Sequence, residues 1–217
     1  MKKIKAIIFD FDGVIADSVG IKTRAFAHLF RNHPKNVVDA VVKYHIENGG
    51  QSRYVKFKHY YENILKFEYS DEIGEKLAEE FSQFVFEEVV KCPYIKGAKE
   101  FIEARHNDYM FFIVSGTPDD EIKLIVERKG LSSYFKEVCG TPKKKGEWVK
   151  ELLEKYELLP AEAVFIGDAL DDYKGAKTNG CFFIGVVSPG AYNPYKDLKI
   201  DFLTEDLQNL DKIINSL

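Results

Sequence analysis

The sequence predicts an α/β protein, a parallel sheet with helices on both faces that is interrupted near its start by an all-helical insert. Three observations carry this. Short apolar runs rich in β-branched and aromatic residues recur at 6–9, 109–114, 163–166 and 181–187, as strands buried on both faces require. Segments of helical periodicity separate the later runs, and alternation of this kind implies parallel crossovers. Residues 18–91, by contrast, keep helical spacing throughout. The expected division is a core domain of residues 1–17 plus 92–217 and a small helical domain of residues 18–91.

In chain order, the strand at 6–9 leads through Asp10-Phe11-Asp12-Gly13 to a helix over 17–30, closed by His33-Pro34. A second helix is expected over 37–46, a break at Glu47-Asn48-Gly49-Gly50, and a third helix over 53–65. Ser70-Asp71-Glu72 caps a long helix that ends at Cys92-Pro93. The second part then reads helix 97–106, strand 109–114, helix 118–128, short strand 137–139, helix 147–156, strand 163–166, helix 173–178, strand 181–187, edge strand 201–203 and helix 205–214.

Composition narrows the function classes. The chain has 217 residues and a net charge of −4, with no basic tail, so a small molecule is the expected partner rather than nucleic acid. Cys92, Cys139 and Cys181 form no C-x-x-C pair, which argues against a thiolate zinc site or a disulfide framework. The N-terminal apolar run is too short for a signal peptide, and no stretch approaches the roughly 18 apolar residues of a membrane span. A reduced cytoplasm is the expected compartment, and the oligomeric state is left open.

The chemistry gathers where strands end. In an open parallel sheet, ligands sit beyond the carboxyl ends of the strands. Asp10 and Asp12 follow the first strand and project to one side if the chain stays extended. Such close carboxylates repel each other, so a cation or a retained proton is needed. An isolated D-x-D is more often only an acidic turn; the other strand ends reverse that reading. Ser115-Gly116-Thr117 offers hydroxyls and an approachable N–H for a phosphate oxygen. Gly167-Asp168-Ala169-Leu170-Asp171-Asp172 places three acids within five residues, an oxygen-only donor set suited to Mg²⁺; a helix dipole accounts for Asp171 and Asp172 better than for Asp168.

Ile8-Phe9-Asp10-Phe11-Asp12-Gly13-Val14, with Asp17-Ser18, resembles the first motif of the haloacid dehalogenase (HAD) superfamily in its phosphatase branch. Ser115, Lys145 and Gly167-Asp168-x-x-x-Asp172 match the second, third and fourth motifs in order. The resemblance implies a Rossmann-like parallel sheet core with the insert as a C1 helical cap. It implies Asp10 as nucleophile, Asp12 as acid/base, Ser115, Gly116 and Lys145 as phosphate-binding, and Mg²⁺ held by Asp10, the Asp12 carbonyl and Asp168, with Asp172 in support. Lys144 is the second choice within Lys143-Lys144-Lys145. Asp12 disfavours a dehalogenase, which lacks that aspartate.

Within the insert, Gly49-Gly50-Gln51-Ser52-Arg53 sits where such caps carry a specificity loop, so Arg53 and Lys56 are expected to contact substrate. The implied activity is Mg²⁺-dependent hydrolysis of a small phosphorylated metabolite, of phosphoglycolate or sugar phosphate type, through an aspartyl phosphate. The alternatives are a phosphomutase of the β-phosphoglucomutase type and a non-catalytic phospholigand-binding protein. The five histidines show no metal-ligand spacing and are expected at the surface or in packing.

Overall fold

A computed structural model describes residues 4–217. Its centre is a six-stranded, all-parallel sheet: β1 (Ala6–Phe9), β2 (Met110–Pro118), β3 (Glu137–Thr141), β4 (Ala163–Gly167), β5 (Phe182–Val186) and β6 (Phe202–Thr204). Spatial order is β3-β2-β1-β4-β5-β6. The order reverses between β1 and its neighbours β2 and β4, which pair with it in register from Ala6 to Phe9. A topological switch point therefore lies at the end of β1, where the first aspartates stand.

Strand alternation divides the apolar residues between two layers. Ile7, Phe9, Phe111, Ile113, Val164 and Ile166 belong to one cluster, and Ala6, Ile8, Phe112, Val114 and Phe165 to the other. Both faces are thus covered, by α5 (Ala98–Arg105), α6 (Asp119–Arg128) and α9 (Leu210–Ile214) on the first side and by α7 (Lys145–Lys155) and α8 (Leu170–Thr178) on the second.

Residues 18–91 form α1 (Val19–Leu29), α2 (Lys35–Glu47), α3 (Arg53–His59) with a π-helical turn at Tyr60–Leu65, and α4 (Asp71–Lys91). Ser70 caps α4 as expected, accepting from the Ile73 N–H at 3.3 Å. Phe26, Phe30, Phe57, Tyr60 and Phe81 pack edge to face or tilted in its centre. Their apolar contact is continuous with the first sheet layer. Among the described residues, no helix is long and apolar enough to cross a membrane.

Some boundaries differ from expectation for identifiable reasons. β2 runs on through Ser115-Gly116-Thr117 to Pro118, because β3 pairs with it as far as Thr141 opposite Pro118. α8 begins at Leu170, three residues early, because Asp172 accepts from the Ala169 N–H at 2.9 Å and closes the first turn. α9 begins at Leu210, five residues late, since Asp206 accepts instead from Gln208 N–H at 2.9 Å and holds a turn.

Candidate active site

The ends of β1, β2 and β4 deliver their polar residues to one place. Asp10, 3% exposed, accepts from the Phe11 N–H at 2.6 Å, and its other oxygen lies 2.8 Å from Lys145 Nζ. Lys145, at the start of α7, also meets Asp172 Oδ1 at 2.5 Å. This singles out Lys145 from its neighbours: Lys143 pairs with Glu151, while the Lys144 N–H starts α7 by donating to Glu147. Carboxylate oxygens of Asp10, Asp168 and Asp172 all lie within 4.8 Å of one another.

Burial and charge act against each other here. Burial pushes the Asp10 carboxyl up, and repulsion from Asp12 adds to this against the opposing pull of Lys145. Burial, then Asp10 and Asp172, raise Asp168 well above the usual carboxylate range. Asp172 is pushed up to about 7, by burial first, despite Lys145. Burial opposes the charge on Lys145, but Asp10 and Asp172 outweigh it and hold the ammonium protonated. Three neighbouring carboxylates thus have one bonded cation among them, and Lys145 touches only Asp10 and Asp172. The Asp168 carboxylate makes no hydrogen bond or ion pair among the described residues.

Asp12 is held differently. Ser18 Oγ donates to one of its oxygens at 2.6 Å, and Lys22 from α1 pairs with the other. Lys22 Nζ also donates to Thr117 Oγ1 at 2.8 Å, tying the helical segment to the end of β2. Burial would raise Asp12, yet Lys22 and Ser18 overcome it and leave the carboxyl below its ordinary range. Its side chain is absent from the close acid cluster. Gly13, at φ +76°, turns the chain there, and Asp168 lies so near that no Cβ would fit.

Ser115 is 1% exposed and its Oγ accepts from the Thr117 N–H at 3.2 Å. Gly116 and Thr117, rather than Ser115, line the adjoining cavity of about 300 Å³. Gly49-Gly50-Gln51 covers this edge. A Cβ on Gly116 would stand 2.7 Å from the Gly50 carbonyl, and one on Gly50 would meet Ala169 Cβ at 2.9 Å. Backbone of the insert therefore rests directly on the strand ends.

The two cations expected from the insert line the cavity but have different partners. Arg53 forks onto Glu121 of α6 at 2.6 and 2.9 Å, donates to Ser82 at 2.6 Å, and lies over the Phe81 ring. Lys56, 2% exposed, donates to Gly49 O at 3.0 Å and stands 3.0 Å from His45 Nδ1.

Sequence reasoning named Thr117 only as a hydroxyl of Ser115-Gly116-Thr117 and did not single out Lys22, Glu121 or Tyr195. Tyr195 donates to Gly167 O at 3.0 Å and fixes the loop that carries Asp168. The pairings of Lys22 with Thr117, of Glu121 with Arg53 and of Tyr195 with Gly167 had no local signal, since the partners lie 95, 68 and 28 residues apart. The histidines are expected at the surface or in packing; His45 is buried in the insert and also stands on the cavity wall.

Comparison with known proteins agrees with this geometry. The family model described as haloacid dehalogenase-like hydrolase matches residues 7–186. The chain is 26% identical to a phosphoglycolate phosphatase of Vibrio cholerae, over 99% of this chain and 98% of that one. A crystal structure of a predicted phosphoglycolate phosphatase from Haemophilus somnus superposes with a TM-score of 0.76 at 21% identity, covering 98% and 99% of the two chains. A Bacillus subtilis protein described as a HAD-hydrolase bound to magnesium gives 0.73 at 21% identity, covering 99% and 100%.

Proposed function

Because the chain belongs to the haloacid dehalogenase-like hydrolases, we propose that it is a Mg²⁺-dependent phosphatase that hydrolyses a small phosphomonoester through a phosphoryl group carried on Asp10. The observation that carries this is the set of three carboxylates within 4.8 Å with a single bonded lysine among them. Such buried acids are costly without a further cation. The donors are all oxygens, which fits a hard divalent ion. Asp10, Asp168 and the Asp12 carbonyl would hold Mg²⁺, with Asp172 in support. Bound there, the ion would neutralise charge on the phosphoryl oxygens and admit a dianion beside a carboxylate.

Asp10 is the group that attacks phosphorus, since its carboxylate is fixed by Phe11 N–H and Lys145 at the switch point. Asp12 gives a proton to the leaving oxygen and later takes one from water. Its bonds to Ser18 and Lys22 hold it beside Asp10, and Lys22 must loosen for Asp12 to become an acid. Lys145, Ser115 and the Gly116 backbone receive the phosphoryl oxygens. Residues 18–91 serve as a cap domain over the core of residues 1–17 plus 92–217, and the Gly49-Gly50-Gln51 loop keeps bulk water away.

The relatives named phosphoglycolate phosphatase support a small, acidic phosphomonoester as substrate. The test is phosphate release from a phosphometabolite panel with and without Mg²⁺, in wild type and Asp10→Asn. Release that needs Mg²⁺ and disappears in the variant supports the proposal. An isomerised product in excess of phosphate would replace it with a phosphomutase.

A further inference from the structure

Tyr195 belongs neither to the acid cluster nor to the insert, yet its hydroxyl reaches the segment that carries Asp168. The phenol oxygen lies 3.0 Å from Gly167 O and 3.3 Å from Ala169 O, the carbonyls on either side of that residue. A carbonyl has no hydrogen to give, so the hydroxyl donates, and its single hydrogen is shared between the two. Among the described residues no other side chain donates to either carbonyl. The Ala169 N–H is held by Asp172 Oδ2 at 2.9 Å, and Gly167 closes β4 opposite Gly185 of β5. Between these points the Asp168 carboxylate makes no bond of its own among the described residues. Its aim therefore depends on the peptide units that flank it, and Tyr195 grips both.

The tyrosine is itself anchored from the sheet. It is 3% exposed and belongs to the second apolar layer, where its ring meets Phe183 edge to face at 5.3 Å. It lies against Gly185, at which a Cβ would stand 2.8 Å from the ring, so a glycine within β5 makes the room it occupies. Its main chain is fixed as well: the N–H donates to Asn193 Oδ1 at 2.9 Å, and the carbonyl accepts from the Leu198 N–H at 2.9 Å. Phenylalanine would fill this space equally well. A buried hydroxyl is costly unless it is bonded, so the feature that packing leaves unexplained is the oxygen and its two carbonyls.

We infer that Tyr195 is a positioning residue for the divalent cation: by holding the Gly167 and Ala169 carbonyls it aims the Asp168 carboxylate into the space shared with Asp10, and its hydroxyl sets the affinity of the site. The inference rests on the reading of that acid cluster as a metal site. It adds a residue from beyond β5 to a centre otherwise built at the ends of β1 and β4 and the start of α7. The reason is geometric. A carboxylate that bonds to nothing in the protein can swing, and a cation binds it more tightly when the loop beneath it is already fixed.

The test reads metal binding alone, with Mn²⁺ as an oxygen-seeking probe followed by electron paramagnetic resonance and Mg²⁺ as its competitor. Wild type should bind Mn²⁺ that Mg²⁺ displaces, and Asp168→Asn should weaken it by about tenfold or more, which reads the metal proposal by itself. No such binding in wild type, or binding indifferent to Asp168→Asn, would overturn that proposal and this inference together. Tyr195→Phe keeps the ring and loses only the hydroxyl, and is expected to bind Mn²⁺ about tenfold more weakly than wild type, as loss of a partner behind a metal ligand does. An affinity within roughly threefold of wild type overturns the inference and leaves the metal proposal standing. Phe183→Leu loosens the packing around the ring but keeps the hydroxyl, so its affinity should stay within roughly threefold. A loss equal to that of Tyr195→Phe would assign the effect to packing and likewise overturn the inference. Should Tyr195→Phe fail to fold, Gly185→Ala displaces the same hydroxyl by crowding the ring and is read against the same limits.

Discussion

Among the described residues two lysines are buried, one on each side of the active-site cavity, and they stand in opposite electrostatic situations. At the sheet edge, Lys145 touches two carboxylates, and the pair of acids holds its ammonium protonated against the cost of burial. In the helical segment, Lys56 touches an imidazole and a carbonyl, and burial followed by repulsion from Lys22 lowers it to about 7. Excess negative charge on one wall faces excess positive charge on the other. The sheet wall is thus incomplete in the sense that its proposed ligand, a divalent cation, would correct.

The contrast is broken most severely at the sheet. Asp10→Asn removes the proposed nucleophile while keeping shape and the Phe11 contact. Turnover should fall by about 10⁴-fold or more, as loss of a group that acts as part of a unit does. Steady-state and burst kinetics on a released-phosphate assay check this. A variant that keeps even a tenth of wild-type kcat would rule out covalent attack by Asp10.

Lys145→Met tests the same wall through stability. Removing the cation leaves Asp10 and Asp172 buried without their partner, a loss of about 3–5 kcal/mol in metal-free protein. Mg²⁺ should restore part of it by binding the folded state. Denaturant titrations with EDTA and with Mg²⁺ would show the difference. Equal loss in both conditions would mean that the acids do not share an ion.

Glu121→Ala addresses the joint between the walls. Arg53 on α3 and Glu121 on α6 are 4% and 12% exposed at their side chains, and the variant strands a buried guanidinium. A loss of about 2–4 kcal/mol is expected, together with a higher KM if the helical segment then sits less firmly over the strand ends. An exposed pair such as Lys35–Asp39 gives the scale for comparison, since Lys35→Ala should change stability by roughly 0.5 kcal/mol or less.

How much of this could be read from the chain depended on how local the cause was. The strands declared themselves because both faces of the sheet are covered, so each strand is a continuous apolar run such as Ala6–Phe9. Asp10, Asp12, Asp168 and Lys145 follow or precede such elements directly, and strand ends converge whatever the loops do. What stayed hidden was pairing. Nothing near Arg53 in sequence announces Glu121, 68 residues on, and nothing near Lys22 announces Thr117, 95 residues on. So the sequence marked Arg53 and Lys56 alike as cations near a flexible loop, whereas the fold gives one a carboxylate and leaves the other without. Ser115 is a related case: its motif position was plain, but its burial in an extended β2, with Gly116 and Thr117 on the cavity wall, follows from strand pairing with β3.

The small effect expected at Lys56 is the most telling about that difference. Lys56→Met replaces a buried, unpaired cation with an apolar chain of similar length. It removes donors from Gly49 O and His45 Nδ1, which costs on the order of 1–3 kcal/mol, and relieves a desolvated charge, which returns a similar amount. Near pH 6 the variant should therefore lie within about 1 kcal/mol of wild type, where Lys145→Met does not. The pH dependence has a definite sign. Lys56 releases its proton near pH 7 when folded and near its ordinary value of 10.5 when unfolded. Between those values the unfolded chain binds more protons, so wild-type stability gains with rising pH relative to a variant that cannot titrate. Any advantage of Lys56→Met is thus greatest below pH 7 and shrinks above it. Unfolding of both proteins by urea from pH 6 to pH 9 would reveal this trend. A gap that widens in favour of Lys56→Met as the pH rises would mean that Lys56 has an anionic partner in the folded protein, and the two walls would then be alike.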